Sequence, residues 1–116
     1  MARFPRAFRL TARREFVAVY EKGRRAGSAS FVMFALPNGA GHCRLGITVT
    51  RKVGSSVQRN RIKRVLRDVF RRHRDELAPA LDLVVNARKG AEEVETAAVE
   101  KEFLDRFSDL ARRFRS

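Results

Sequence analysis

The spacing of apolar residues changes several times along this chain, and each change marks an element. Phe16, Val19 and Tyr20 recur at i, i+3, i+4 spacing and predict a first helix over about 12–22, with Thr11 as N-cap and Gly23 as its stop. After a polar loop from Arg24 to Ser30, the run Phe31-Val-Met-Phe-Ala-Leu36 predicts a strand. Pro37-Asn-Gly-Ala-Gly41 is dense in turn formers and predicts a hairpin link to a second strand. There the alternation is clean: Leu45, Ile47 and Val49 take one face, and Arg44, Gly46, Thr48 and Thr50 take the other.

A helical period follows. Ile62, Val65, Leu66, Val69 and Phe70 fall within an arc of about 100°, which predicts a helix over about 56–75 capped by Ser55 or Ser56. Pro79 bars its continuation, and Leu81, Leu83, Val85 and Ala87 alternate as a third strand. A last helix over about 96–114 places Val99, Phe103, Phe107, Leu110 and Phe114 on one stripe. The order is α-β-β-α-β-α, and strands separated by a helix can lie parallel in one sheet. The expectation is one domain over 1–116 of the α+β class: a single-layer α/β sandwich with its helices largely on one face of a small sheet. No internal repeat, linker or low-complexity tract interrupts it.

Charge changes the picture most. The 116 residues carry 26 Lys and Arg against 13 Asp and Glu, a formal net charge of +13. An excess of this size opposes compaction through self-repulsion and points to a polyanionic partner, nucleic acid first. The excess is uneven: residues 1–14 hold five Arg and no acid, 51–74 hold ten cations beside Asp68 alone, and 92–116 are close to neutral. With Cys43 the only cysteine and no apolar leader at Met1-Ala-Arg-Phe-Pro-Arg6, a reducing, cytoplasmic setting is expected.

On the helix over 56–75, Asn60, Arg64, Arg67, Arg71 and Arg74 follow spacings of 4, 3, 4 and 3 opposite the apolar stripe, and Arg61 and Lys63 flank them. That makes a basic ridge. The helix N-terminus beside Lys52 and Ser55 adds free N–H groups and a positive dipole end, a ready phosphate site. An ordinary solvated basic face is the bland alternative, but Asp68 and Asp75 offer little pairing to ten cations. Phe16, Tyr20 and Phe34 can each be core residues; the functional alternative leaves one or two partly exposed to stack on unpaired bases.

Arg59-Asn60-Arg61-Ile62-Lys63-Arg64 resembles the RNR signature of bacterial ribonuclease P protein subunits. The surroundings agree over almost the whole chain: Phe8-Arg9-Leu10 before Glu15-Phe16, then Phe31 to Phe34, Arg44 to Gly54, and Leu83 to Lys89. The resemblance implies a left-handed βαβ crossover, against the usual rule, in a fold similar to the second domain of a small-subunit ribosomal protein. It implies that the chain is the protein subunit of an endoribonuclease that removes the 5′ leader from precursor tRNA. The catalytic RNA, using Mg²⁺, would carry the chemistry. Phe16, Tyr20, Phe34, Thr48, Asn60, Arg64 and Arg67 would line or border a cleft for the single-stranded leader. Lys52, Arg59, Arg61, Lys63 and Arg71 would contact the catalytic RNA and its phosphates.

No residue pattern marks the chain itself as a catalyst. Glu92, Glu93 and Glu95 crowd one segment far from the basic helix, and His42 and Cys43 point to opposite faces of a strand. His73 is expected to pack beside the apolar stripe, and one Cys with two His makes no conventional zinc site. Two competing readings are a basic ribosome-associated or chaperone-type RNA-binding protein, and a DNA-binding protein reading with the helix over 56–75. The latter helix follows a strand, not the helix and short turn of a helix-turn-helix. Neither a membrane nor DNA is an expected partner.

Overall fold

Leu81 to Val85 form an unbroken run of five buried strand positions, and the sheet is built around that run. A computed structural model describes residues 5–115, so Arg3 of the basic N-terminal run lies outside the described residues. The helices are α1 (Arg13–Lys22), α2 (Ser56–His73) and α3 (Thr96–Arg115). The strands are β1 (Arg24–Gly27), β2 (Phe31–Pro37), β3 (Arg44–Thr48) and β4 (Leu81–Ala87), in the sheet order β1-β2-β4-β3. β2 runs antiparallel to β1 and β4, and β3 runs parallel to β4.

This order corrects the hairpin expected across Pro37 to Gly41. That segment reverses the chain, but β2 and β3 do not pair; β4 lies between them. Turn residues report only a local reversal. β4 buries Leu81, Leu83 and Val85 on one face and Val84 on the other, and helices cover both faces at the centre of the sheet. The loop expected over Arg24 to Ser30 is also corrected, because Arg24–Gly27 is an edge strand. It has no apolar alternation to announce it. It is held by pairing with β2, by Arg113 donating to the Arg25 carbonyl at 3.1 Å, and by Arg106 donating to the Gly27 carbonyl at 3.3 Å. The two guanidiniums also occupy outward carbonyls that an exposed edge would otherwise offer to another strand.

The predicted stripes bury as drawn. Ile62, Leu66, Val69 and Phe70 of α2 and Val99, Phe103, Phe107 and Leu110 of α3 pack on Phe31, Met33, Ala35, Leu45, Leu83 and Val85. Each such side chain contributes about 1.5–3 kcal/mol by leaving water. α1 takes the opposite face, where Leu10, Val19 and Val84 are buried with Phe16, Phe34 and Leu36 against them. Two helices thus cover one face and the third covers part of the other.

Two caps differ in kind. Ser55 caps α2 reciprocally: its hydroxyl accepts from the Gln58 N–H and its own N–H donates to Gln58 Oε1. Thr11 does not cap α1, because Ala12 stands at the N-cap position and has no acceptor to offer. The Glu15 carboxylate instead accepts the N–H groups of Thr11 and Ala12, at 3.0 and 2.9 Å. α2 ends at His73 and a 3₁₀ turn, Arg74–Glu76, replaces its last predicted residues.

Candidate nucleic-acid interface

The α1 face of the sheet is laid out in rows by the strand register. Arg44 of β3 stands beside Asp82 of β4; Gly46 stands beside Val84, Phe34 and Arg25; Thr48 stands beside Asn86 and Val32. The polar alternation read on β3 is therefore the floor under α1, and each row meets a different residue of that helix.

Arg44 fixes the N-terminal end of α1. Its guanidinium donates to both Asp82 carboxylate oxygens at 2.7 Å and reaches Glu15 at 3.1 Å. Asn38 also donates to Asp82, so this nearly buried carboxylate is fully engaged. The Ala12 and Thr11 N–H groups, with Arg44 beside them, hold the Glu15 carboxyl below its ordinary value. In the next row the Phe16 ring lies against Gly46: a Cβ there would stand 2.6 Å from the ring. In the third, Tyr20 donates its phenol proton to Asn86 Oδ1 at 2.8 Å and lies 3.4 Å from the Thr48 hydroxyl. Its ring meets Phe34 edge-on, with centroids 5.0 Å apart, and the Arg25 guanidinium lies over Phe34.

The result is an open cleft between α1, the sheet and the flank of α2. One end is a hollow lined by Arg9, Leu10, Phe16, Leu45, Gly46, Ile47 and Arg67. The other is the surface of Tyr20, Phe34, Thr48 and Asn86. Tyr20 is 38% exposed, the only aromatic so open among the described residues. Phe16, Tyr20, Phe34, Thr48 and Arg67 are thus brought together. Asn60 and Arg64 stand farther back along the α2 ridge, exposed, their side chains without a hydrogen bond or ion pair among the described residues.

The ridge divides. Arg71 pairs with Asp68, which holds the Asp68 carboxyl low, and Arg74 stacks on the Phe8 ring at 4.2 Å. Only its N-terminal part, Asn60 to Arg67, is unengaged. On the RNR side, Lys52 is exposed in the 3₁₀ turn Arg51–Val53, beside the N-terminus of α2. Arg59 and Lys63 are half-buried, and exposed Arg61 donates to the Glu92 carbonyl at 3.4 Å.

Sequence reasoning missed Arg9, Arg25 and Asn86. Arg9 and Leu10 run along the outer edge of β3, where the Leu10 N–H donates to the Leu45 carbonyl at 3.0 Å; an irregular segment carries no periodic sign of this. Asn86 did carry a sign, being an amide in a strand otherwise apolar at that end. His73 is not a packing residue: it bridges Glu76 and Glu100, and the Glu100 carboxylate first and Glu76 second raise its pKa. His42 contacts the Ala7 carbonyl and the Phe8 ring, while Cys43 is buried against Leu77, Pro79 and Leu81. Burial pushes its thiol up.

Known proteins resemble this chain in sequence and in fold. The Ribonuclease P family model matches residues 4–111. The ribonuclease P protein component of Desulfovibrio desulfuricans is 43% identical over 93% of this chain and 86% of its own length. That of Staphylococcus carnosus is 35% identical over 83% of this chain and 84% of its own. Among solved structures, the RNase P protein of Thermotoga maritima superposes with a TM-score of 0.78 at 34% identity, covering 90% of this chain and 96% of that one. A Staphylococcus aureus RNase P protein mutant, described as defective in mRNA degradation, superposes with a TM-score of 0.81 at 32% identity, covering 88% and 86%.

Proposed function

This chain belongs to the ribonuclease P protein family, and from that premise we propose how it divides its work between two RNA surfaces. Membership makes it an RNA-binding protein of tRNA processing. In the proposed division, the cleft between α1 and the sheet holds the single-stranded 5′ leader of precursor tRNA. Lys52, Arg59, Arg61 and Lys63, at the turn and first half of α2, face the catalytic RNA, with Arg71 farther along; all of this takes place in the cytoplasm.

One observation carries the reading. The exposed Tyr20 and the partly buried Phe34 form an aromatic surface on the same sheet face that Phe16 and the unpaired Arg67 border. Stacking platforms beside cations are what an unpaired strand requires, since each base offers a π face and each nucleotide a phosphate. Mature tRNA has no single strand at its 5′ end, where the acceptor stem is paired. The cleft therefore distinguishes precursor from mature tRNA by its leader, and raises affinity for the substrate over the product.

The chain supplies binding and the RNA supplies catalysis. The reading assigns the Mg²⁺ ion to the RNA, as the family resemblance implies, and routes no step through this chain. The test is reconstitution. Added to the cognate catalytic RNA at low Mg²⁺, the protein should restore cleavage of precursor tRNA and lower KM for leader-bearing substrate. Failure to stimulate cleavage at any protein concentration overturns the reading.

A further inference from the structure

The edge strand β1 carries more positive charge than its place in the sheet accounts for. Arg24 and Arg25 are both exposed, and register puts them on opposite faces. Arg24 stands beside Ala35 on the face of α2 and α3, and Arg25 beside Phe34 on the face of α1. Gly23 joins α1 to this strand so closely that a Cβ there would stand 2.4 Å from the Val19 carbonyl oxygen and 2.5 Å from that of Ala35. Exposed Lys22 is thereby held at the start of β1. From the other side α3 brings Arg106, Arg112 and Arg113. Asp109 pairs with Arg106 and Arg112, while Glu21 makes no ion pair among the described residues.

Most of these cations have a local role. Arg113 and Arg106 occupy the Arg25 and Gly27 carbonyls, so the edge is already closed to another strand. Arg25 lies over the Phe34 ring, and Lys22 offsets the negative end of α1. Arg24 has none of these roles: its side chain makes no hydrogen bond or ion pair among the described residues. A charge held among like charges without a partner in the chain calls for one outside it.

We infer that the rim running from Lys22 around Arg24 to the last turns of α3 is a third RNA-contacting surface, which takes the phosphate backbone of a paired segment of the catalytic RNA. The large apolar side chains exposed among the described residues are Tyr20, in the cleft, and Val57, on α2. The rim has none. Cations without a stacking ring suit a helix, whose bases are already stacked and whose backbone is what it offers. In the sheet order β1 is the edge opposite β3, three strand spacings or about 14 Å away, so this contact is separate from the turn that follows β3. The choice of RNA rests on the leader-cleft reading above. A rim that held the tRNA body would bind precursor and mature tRNA alike and dilute discrimination by the leader, which leaves the catalytic RNA as its partner.

The experiment titrates the full chain against the cognate catalytic RNA, without tRNA, at several salt concentrations. The double variant Lys22→Ala/Arg24→Ala should lower the slope of log K against log salt by about two, and raise Kd by about tenfold per lost phosphate near ~0.1 M salt. Arg24→Lys should keep most of the native slope. Hydroxyl-radical footprinting should show a paired segment of the catalytic RNA that the native protein protects and the double variant leaves open. Circular dichroism and thermal unfolding establish that the variants are folded. The inference is overturned if the double variant binds catalytic RNA with native Kd and slope, or if it loses affinity only for leader-bearing precursor. It is also overturned if sedimentation shows the variant aggregating at unchanged RNA affinity, the mark of edge protection alone. The two levels are read separately. If native holoenzyme does not prefer precursor over mature tRNA, the leader cleft fails; if it does, while the double variant assembles as the native protein does, only the rim fails.

Discussion

The Phe16 ring fills the space where a side chain at Gly46 would stand, with a Cβ there only 2.6 Å from the ring. The cleft floor is thus glycine by necessity: α1 comes close enough to present an aromatic only because β3 has no side chain in that row. Gly46→Ala should push the ring out, costing about 1–3 kcal/mol of stability as overpacking does. Phe16→Ala on the same background should recover part of that, a non-additivity readable in urea denaturation of the double mutant.

Binding should separate the aromatics from the charges. Phe16→Ala should weaken leader-bearing precursor by about 1–3 kcal/mol, the range for one lost base–aromatic contact, and leave mature tRNA unaffected. Equilibrium binding of the two RNAs by holoenzyme measures this.

The ridge of α2 should be electrostatically unequal along its length. Arg64→Ala and Arg67→Ala should each reduce the slope of log K against log salt by about one. Arg71→Ala should change it less, because Arg71 is already paired with Asp68. A salt titration of precursor binding with the three variants reads the difference.

Arg44→Met should loosen α1 from the sheet. It leaves Asp82, only 7% exposed, with Asn38 as its remaining side-chain partner. The cost should fall near the lower end of the roughly 3–5 kcal/mol seen for breaking a buried pair, since the Arg44 side chain is itself 26% exposed. Denaturant unfolding measures it. Loss of leader discrimination should accompany the loss of stability, because Glu15, Phe16 and Tyr20 ride on the same helix.

His73 should make stability pH-dependent. Its folded pKa is raised above the ordinary 6.5 by Glu100 and Glu76, with Arg72, Arg71 and Asp68 nearby. The stabilisation is therefore complete below about 6.5 and is lost as pH rises through the raised value. Glu100, lowered by His73, works in the other direction and loses its contribution only as pH falls below its ordinary 4.5. Thermal unfolding from pH 6 to 9 should show a decline that His73→Gln abolishes.

Much of the fold was legible in order and period. The stripes of α2 and α3 and the alternation of β3 were read correctly because a buried face leaves a repeat in the chain that carries it. The Arg59-Asn60-Arg61 block was legible as well, since it occupies consecutive positions of one helix. Where the signal was weak, the reading failed. Arg24–Gly27 is a strand only because β2 and two arginines of α3 hold it, and Thr11 yields the cap of α1 to Glu15.

What the sequence determined by itself is the set of elements, the excess of positive charge and the ridge that concentrates it. Those are properties of neighbours three, four or two residues apart. The tertiary structure alone decided that β4 sits between β2 and β3, and hence that Thr48 and Asn86 stand side by side beneath Tyr20. It also decided which cations are free: Arg71 and Arg74 look like Arg64 and Arg67 in the chain, but Asp68 and Phe8 engage the first two. Long-range pairing brings together residues with no common period, so only the closed sheet could reveal what the cleft presents to a base.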